Sequence, residues 1–124
     1  MIHNDKQTHF SAIPDDLLIA AENIRDKALR ETLGDILRQL AKENKAVNGE
    51  WHFYDECFYP MTWASKRLGK DEHTISRRLS KLVEKNILTV TKEKKGYKVD
   101  GDKYFRPTTY IKLKPVSVWG TKEQ

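Results

Sequence analysis

Residues 61–88 read MTWASKRLGKDEHTISRRLSKLVEKNIL, and this stretch decides the fold. It predicts a short helix over residues 63–68, with the Thr62 side chain as its N-cap. Gly69 follows at once and supplies the left-handed backbone conformation that a tight turn requires. The pattern therefore predicts a helix that stops abruptly and turns into a second one.

A second helix is predicted after Asp71, whose short carboxylate suits an N-cap. Its apolar residues recur at spacings of four, three and one and mark one buried face: Ile75, Leu79, Leu82 and Val83. The opposite face is polar and largely basic: His73, Ser76, Arg77, Ser80, Lys81 and Glu84. We expect this helix to end at Asn86, because asparagine tolerates the left-handed position that follows a helix.

Two strands are predicted beyond this helix, since residues 87–91 and 108–113 both alternate apolar and polar side chains. Residues 92–106 lie between them and hold two glycines, three acidic residues and six basic ones. This composition predicts a mobile basic loop.

The first part of the chain predicts helices. Pro14 with two acids after it is a helix-start signal. Apolar residues at spacings of three and four through residues 17–41 predict two helices, or one with a kink near Asp26. This stripe is either core or a dimer seam. Gly34 within it lowers helix stability by about 1 kcal/mol relative to alanine. The aromatic-rich segment 51–59 predicts a short strand or hairpin.

Charge divides the chain of 124 residues into unlike halves. Residues 1–60 hold 7 Lys and Arg against 11 Asp and Glu, a net charge of −4. Residues 61–115 hold 15 against 6, a net charge of +9. A basic region joined to an acidic one indicates a polyanion site on one part of the molecule.

The compartment and membrane signals agree with a cytoplasmic protein. The chain has one cysteine, Cys57, so no internal disulfide can form and a reducing compartment is expected. Its first residues are polar, so we expect no secretion signal. Its longest apolar run is far below the ~20 residues of a membrane span.

Residues 61–113 resemble a winged helix-turn-helix domain. Residues 61–69 are similar to that family's second helix and turn, with Ala64 at the close helix crossing, and residues 73–82 resemble its recognition helix. Asn86 stands where the family usually has glycine. The layout from Ile13-Pro14 to residues 106–110 is similar to N-terminal domains of phage and plasmid replication initiators. The resemblance implies an α+β fold: N-terminal helices, a winged helix-turn-helix and a small antiparallel sheet, the wing. We expect residues 13–115 to form this domain, with tails at 1–12 and 116–124.

This resemblance implies duplex DNA as the partner. The recognition helix would meet bases in the major groove, with Arg77 the first choice for a guanine edge. Arg78 is expected on a phosphate or packed against an earlier helix. The implied recognition-helix contacts are His73, Ser76, Arg77, Arg78, Ser80 and Lys81. The alternative is an ordinary solvated helix face.

Two further basic groups are expected on the phosphate backbone. Those on the helix before the turn are Lys66, Arg67 and Lys70. Those of the wing are Lys92, Lys94, Lys95, Lys98, Lys103 and Arg106. The alternative for the wing is a charged hairpin that protects a sheet edge. The aromatic segment 51–59 could be a stacking platform for single strands, and the alternative is that it packs in the core. Trp63 is expected either in the core or as partly exposed cover.

Enzyme classes find little support. No two of His3, His9, His52 and His73 have metal-ligand spacing, and His52 and Cys57 lack further ligands nearby. Asp55 and Glu56 are adjacent, so a strand or bend would point them apart, whereas a catalytic pair must aim at one substrate. We therefore expect no enzyme activity, catalytic residue, metal or cofactor.

The expected function is non-enzymatic binding of double-stranded DNA, at a replication origin or transfer site of a phage or plasmid. A transcriptional regulator at a promoter or operator is the first alternative. A winged-helix module for protein interaction is the second, with the N-terminal helices as the surface for a homodimer or protein partner.

Overall fold

The computed structural model describes residues 13–44, 46–47, 50–51 and 53–120, and it is an α+β structure with an antiparallel sheet of three strands. Four helices lie in this described part: α1 (Asp15–Glu22), α2 (Lys27–Glu43), α3 (Met61–Leu68) and α4 (Glu72–Glu84). The strands are β1 (Ala46–Val47), β2 (Glu50–Trp51), β3 (Glu56–Phe58), β4 (Leu88–Val99) and β5 (Asp102–Leu113), followed by a 3₁₀ turn at Val116–Val118.

The N-terminal part forms two helices, as one of the sequence alternatives predicts. The break lies before Asp26, which caps α2 by accepting a hydrogen bond of 3.2 Å from the Leu29 amide. The apolar stripe of α2 lies in the core of this single chain, and its fully buried members include Leu29, Leu33, Ile36 and Leu40. Gly34 is accommodated within α2 without ending it.

The sheet has the strand order β3-β5-β4, with both pairs antiparallel. Its inner face carries Cys57 opposite Ile111, and Ile111 opposite Val90, over the helical core. A second, two-stranded ladder joins β1 to β2. The strand predicted at residues 108–113 is confirmed as the core-facing end of β5.

The prediction of a mobile loop over residues 92–106 is wrong. The two strands continue through this segment as one hairpin of twelve residues on each side. Asp100 (φ 51°) and Gly101 (φ 85°) form its two-residue turn, and two positive φ angles match the right-handed twist of the flanking strands. The Asp-Gly pair, a strong hairpin signal, therefore outweighs the low β-propensity of the lysines around it.

Residues 114–120 pack against the body instead of leaving it as a tail. Val116 and Trp119 contact the core cluster, and the Trp119 indole N–H donates a hydrogen bond of 2.8 Å to the Lys114 carbonyl. The Gly120 amide donates to the Lys85 carbonyl at 2.6 Å. The folded unit thus extends to Gly120, beyond the predicted boundary, whereas residues 1–12 and 121–124 lie outside the described residues.

Candidate nucleic-acid interface

The turn between α3 and α4 forms from local signals in the sequence. Gly69 has φ 66° and ends α3, and the Asp71 carboxylate accepts a hydrogen bond of 2.7 Å from the Thr74 amide at the start of α4. Hydrogen bonds from the backbone and the side chain of Thr74 lower the pKa of Asp71. Ala64 is fully buried, which lets the helices of this pair approach closely. The Asp71 cap and the Gly69 turn are thereby confirmed.

The predicted Thr62 cap is wrong. Helix α3 begins at Met61, directly after Pro60, and no side chain caps it. Proline fixes φ near the helical value, and with Pro60 in the N-cap position the helix begins two residues earlier than a Thr62 cap would allow. Thr62 lies inside the helix on the exposed side.

Helix α4 presents a polar face away from the core. Ile75, Leu79 and Leu82 are buried, which fixes the rotation of the helix about its axis, whereas Val83, predicted on the same face, is 40% exposed. The opposite side leaves four predicted contact residues exposed and Ser76 half-buried; the exposed ones are His73, Arg77, Ser80 and Lys81. The exposed side therefore brings together five of the six predicted recognition-helix residues.

Arg78, the sixth, turns toward α2. Its Nη1 donates a hydrogen bond of 3.3 Å to the Thr32 hydroxyl, and Thr32 is fully buried. The predicted packing of Arg78 against an earlier helix is thus observed, and its contact with a phosphate stays a prediction. Its neighbour Arg77 is exposed.

The C-terminal end of α4 closes on Asn86, which has φ 61°. The Asn86 amide donates to the Val83 carbonyl at 2.9 Å, and the Ile87 amide donates to the Leu82 carbonyl at 3.0 Å. This pair of bonds is the Schellman arrangement, which predicts a left-handed residue at this position. It directs the chain from α4 into β4 and so sets the hairpin beside the helix.

The three basic residues around the end of α3 have different environments. Lys66 and Lys70 are exposed. Arg67 forms a bidentate ion pair with buried Asp35 of α2, with Nε–Oδ1 at 2.8 Å and Nη2–Oδ2 at 2.9 Å. Its guanidinium also lies 5.8 Å from the centre of the Tyr59 ring. The Asp35 carboxylate raises the pKa of Arg67, so this side chain is a charged internal tie rather than a free surface cation.

The predicted wing residues lie along the hairpin. Lys92 is exposed at its base, opposite Thr109. The register sets Lys95 opposite Arg106 and Lys98 opposite Lys103. Lys94 also lies on β4, and the side chains of residues 94–99 and 103–107 lie outside those that the structure describes.

A concavity of about 660 Å³ lies between the helix pair and the base of the hairpin. Trp63, Lys66 and Glu72 line it on the helical side, and Phe58, Lys92 and Thr109 line it on the side of the sheet. Trp63 is 55% exposed and contacts Phe58 edge-on, with ring centres 6.2 Å apart. Sequence reasoning did not assign Glu72 a role; its place in the first turn of α4 is the signal that could have found it.

Three other candidate residues, Asp55, Glu56 and Cys57, lie on or directly before β3. Cys57 is buried, and burial together with nearby carboxylates raises its pKa to about 12. Among the residues that the structure describes, no group of three His, Cys, Asp or Glu side chains could hold a metal. Glu56 opens β3 and is exposed, while the Asp55 carbonyl accepts a hydrogen bond from the Leu113 amide at 2.8 Å.

None of the described helices is long and apolar enough to span a bilayer. No protein-family model, curated protein or solved structure matches this chain.

Proposed function

We propose that this protein is a winged helix-turn-helix protein that binds double-stranded DNA without covalent chemistry. In this proposal α4 enters the major groove, where Arg77 contacts a base edge and Lys81 contacts a base or phosphate. Lys66, Lys70 and the hairpin bind the phosphate backbone. The observation that carries it is the exposed polar face of α4, held on a packed core beside a basic hairpin.

Charge in the hairpin gives independent support. Like charges at directly opposite positions destabilise an antiparallel pair, yet two pairs in the half of the hairpin nearer its turn set a basic residue opposite a basic residue: Lys95 with Arg106, and Lys98 with Lys103. Phosphates of a bound duplex would offset this repulsion. Past Thr91, which lies level with the end of β3, strand β4 continues for eight residues to Val99, about 26 Å at roughly 3.3 Å per residue, which is enough to follow a groove of ~12 Å width.

The finer proposal follows the layout of the chain. We propose that the DNA site is a replication origin or transfer site of a phage or plasmid, in the reducing cytoplasm, with a promoter as the alternative. In either case binding itself is the mechanism, since site occupancy alone recruits or blocks other proteins.

The decisive experiment is a titration of fluorescent duplex DNA at several salt concentrations. Wild type should bind with a log–log salt slope of about −0.9 per phosphate contacted. An Arg77→Ala/Lys81→Ala variant should lose about 1–3 kcal/mol per base contact on a specific site. The matched control is Arg25→Ala/Lys27→Ala, which removes the same charge from two exposed positions that flank Asp26, the N-cap of α2.

The control separates local contact from net charge. Equal losses in both variants would show that only overall charge matters. No binding by wild type at low salt would overturn the proposal and favour the protein-interaction alternative, in which the basic hairpin meets an acidic protein.

A further inference from the structure

The concavity between the helix pair and the hairpin has the chemistry of a nucleotide site. Its volume of about 660 Å³ falls within the range of ligand pockets, ~300–1,000 Å³. One wall is aromatic and the rim is charged and hydroxylated, whereas most apolar pockets offer few polar groups. The proposed duplex binding uses only Lys66 and Lys92 at the rim of this concavity and leaves its aromatic wall and Glu72 without a role.

The aromatic wall is exposed at its outer end. Trp63 leaves 55% of its surface in solvent, although it is a large aromatic side chain with an apolar neighbour. Phe58 meets it edge-on at 75°, and Phe58 in turn lies 5.8 Å from the Tyr110 ring. These contacts support the indole, while more than half of its surface remains open to solvent. An indole held in this way is a stacking surface for a flat ring.

The polar groups surround this aromatic surface with complementary chemistry. Lys66 lies one turn along α3 from Trp63, and Lys92 lies across the concavity on β4, so two cations border it from opposite sides. Glu72 adds a carboxylate, which accepts hydrogen bonds from an exocyclic amino group such as that of cytosine. A nucleotide satisfies all three features when its base stacks on the indole, its amino group donates to Glu72 and its phosphate meets a lysine.

We propose that this concavity binds one unpaired nucleotide of a DNA strand, with the base stacked on Trp63 and the phosphate bound by Lys66 or Lys92. Glu72 selects a base that carries an exocyclic amino group, so cytosine binds better than thymine. The site goes beyond the proposed duplex binding and does not depend on α4 entering a groove.

The test measures binding of the intact protein to labelled single-stranded oligo-dC, oligo-dT and a duplex. Trp63→Ala should weaken binding to oligo-dC by about 5- to 150-fold, the effect of losing one base–aromatic stack. Trp63→Phe should recover most of that loss because it keeps a ring. The control Tyr54→Ala removes an exposed aromatic residue that does not line the concavity and should leave binding unchanged.

The other arms separate the parts of the proposal. Glu72→Ala should abolish the preference for oligo-dC over oligo-dT. Duplex binding should be unaffected by Trp63→Ala and reduced by Arg77→Ala/Lys81→Ala, so failure of one proposal is distinguishable from failure of the other.

Three results would overturn the nucleotide site. One is equal affinity of wild type and Trp63→Ala for oligo-dC. Another is a loss of duplex affinity in Trp63→Ala as large as its loss of affinity for oligo-dC. The third is competition by free deoxycytidine monophosphate as strong as that by oligo-dC, which would show a site for free nucleotides rather than a DNA strand.

Discussion

The hydroxyl of Tyr59 donates a hydrogen bond of 2.7 Å to Oδ2 of Asp35, and the same carboxylate is held by Arg67. Tyr59 is fully buried and Asp35 is 5% exposed. Burial and the hydrogen bond to Asp35 raise the pKa of Tyr59, so the hydroxyl keeps its proton and remains a donor. One carboxylate on α2 thus fixes both the segment before α3 and α3 itself.

Tyr59→Phe should lower the free energy of unfolding by about 1.5 kcal/mol, since a hydrogen bond to a charged acceptor is lost while Arg67 still pairs with Asp35. Urea unfolding measures the difference. The control is Tyr54→Phe, because Tyr54 is 63% exposed and its hydroxyl has no partner in the described part of the chain. The control should change stability by less than about 0.5 kcal/mol. Equal effects of the two substitutions would contradict the assigned role.

Alanine substitution of the neighbouring residues Lys66 and Arg67 of α3 should affect different properties, DNA binding for Lys66 and stability for Arg67. Lys66→Ala should reduce the magnitude of the salt slope for duplex binding by about 0.9 and leave unfolding unchanged, because Lys66 is exposed. Arg67→Ala should cost about 2 kcal/mol of stability, since it leaves buried Asp35 with less compensation. Denaturant unfolding and DNA titration of the same two samples check the pair. A stable Arg67→Ala protein with a reduced salt slope would show instead that Arg67 serves the DNA.

Cys57 should make the protein less stable at high pH. Its pKa rises from 9.0 to about 12 on folding, so the folded state holds the thiol proton longer than the unfolded state. This stabilisation is complete below pH 9.0 and is lost as the pH rises toward 12. Across that window stability should fall by up to about 1.4 kcal/mol per pH unit more in wild type than in Cys57→Ala. Parallel pH profiles for the two proteins would contradict this account.

Native Cys57 should also resist thiol reagents, because the thiolate is the reactive form and the side chain is 2% exposed. The reagent should react fully once urea unfolds the protein. Rapid labelling of the folded protein would show that β3 opens under native conditions.

Two glycine substitutions should have opposite signs. Gly34→Ala should stabilise the protein by about 0.5–1 kcal/mol, since a Cβ there meets nothing within 4 Å and the position is helical. Gly101→Ala should destabilise it by about 1 kcal/mol because its φ is 85°. Thermal unfolding of both variants gives the comparison. Stabilisation by Gly101→Ala would mean that the turn is not the one described.

The sequence was sufficient to predict the turn and the helix ends, because at each of them one residue determines the backbone geometry. Gly69 and Asp71 mark the turn because a left-handed φ and a helix cap are each satisfied within a few residues of chain. Asn86 likewise occupies its left-handed position, and its side chain adds a hydrogen bond of 3.1 Å to the Val118 carbonyl that glycine could not make.

The sequence did not identify the internal partner of a residue where that partner lies far along the chain. Arg67 has the same exposed, basic pattern as Lys66, and only the position of Asp35, 32 residues earlier, shows that it is an internal ion pair. Arg78 differs from Arg77 for the same reason, since Thr32 lies 46 residues away. Helical periodicity predicts which face a residue occupies, but it does not identify the neighbour.

The strand order β3-β5-β4 sets a sequence of events in synthesis. The central strand is the last of the described strands to leave the ribosome, and β3 and β4 each pair only with it. The helices can form early from local contacts, whereas the sheet must wait until residues 102–113 are made. Closing β5 onto β3 then joins segments about fifty residues apart, Phe58 with Tyr110, which makes this the slow long-range step. A nascent chain stopped before Asp102 would carry both outer strands with no strand between them.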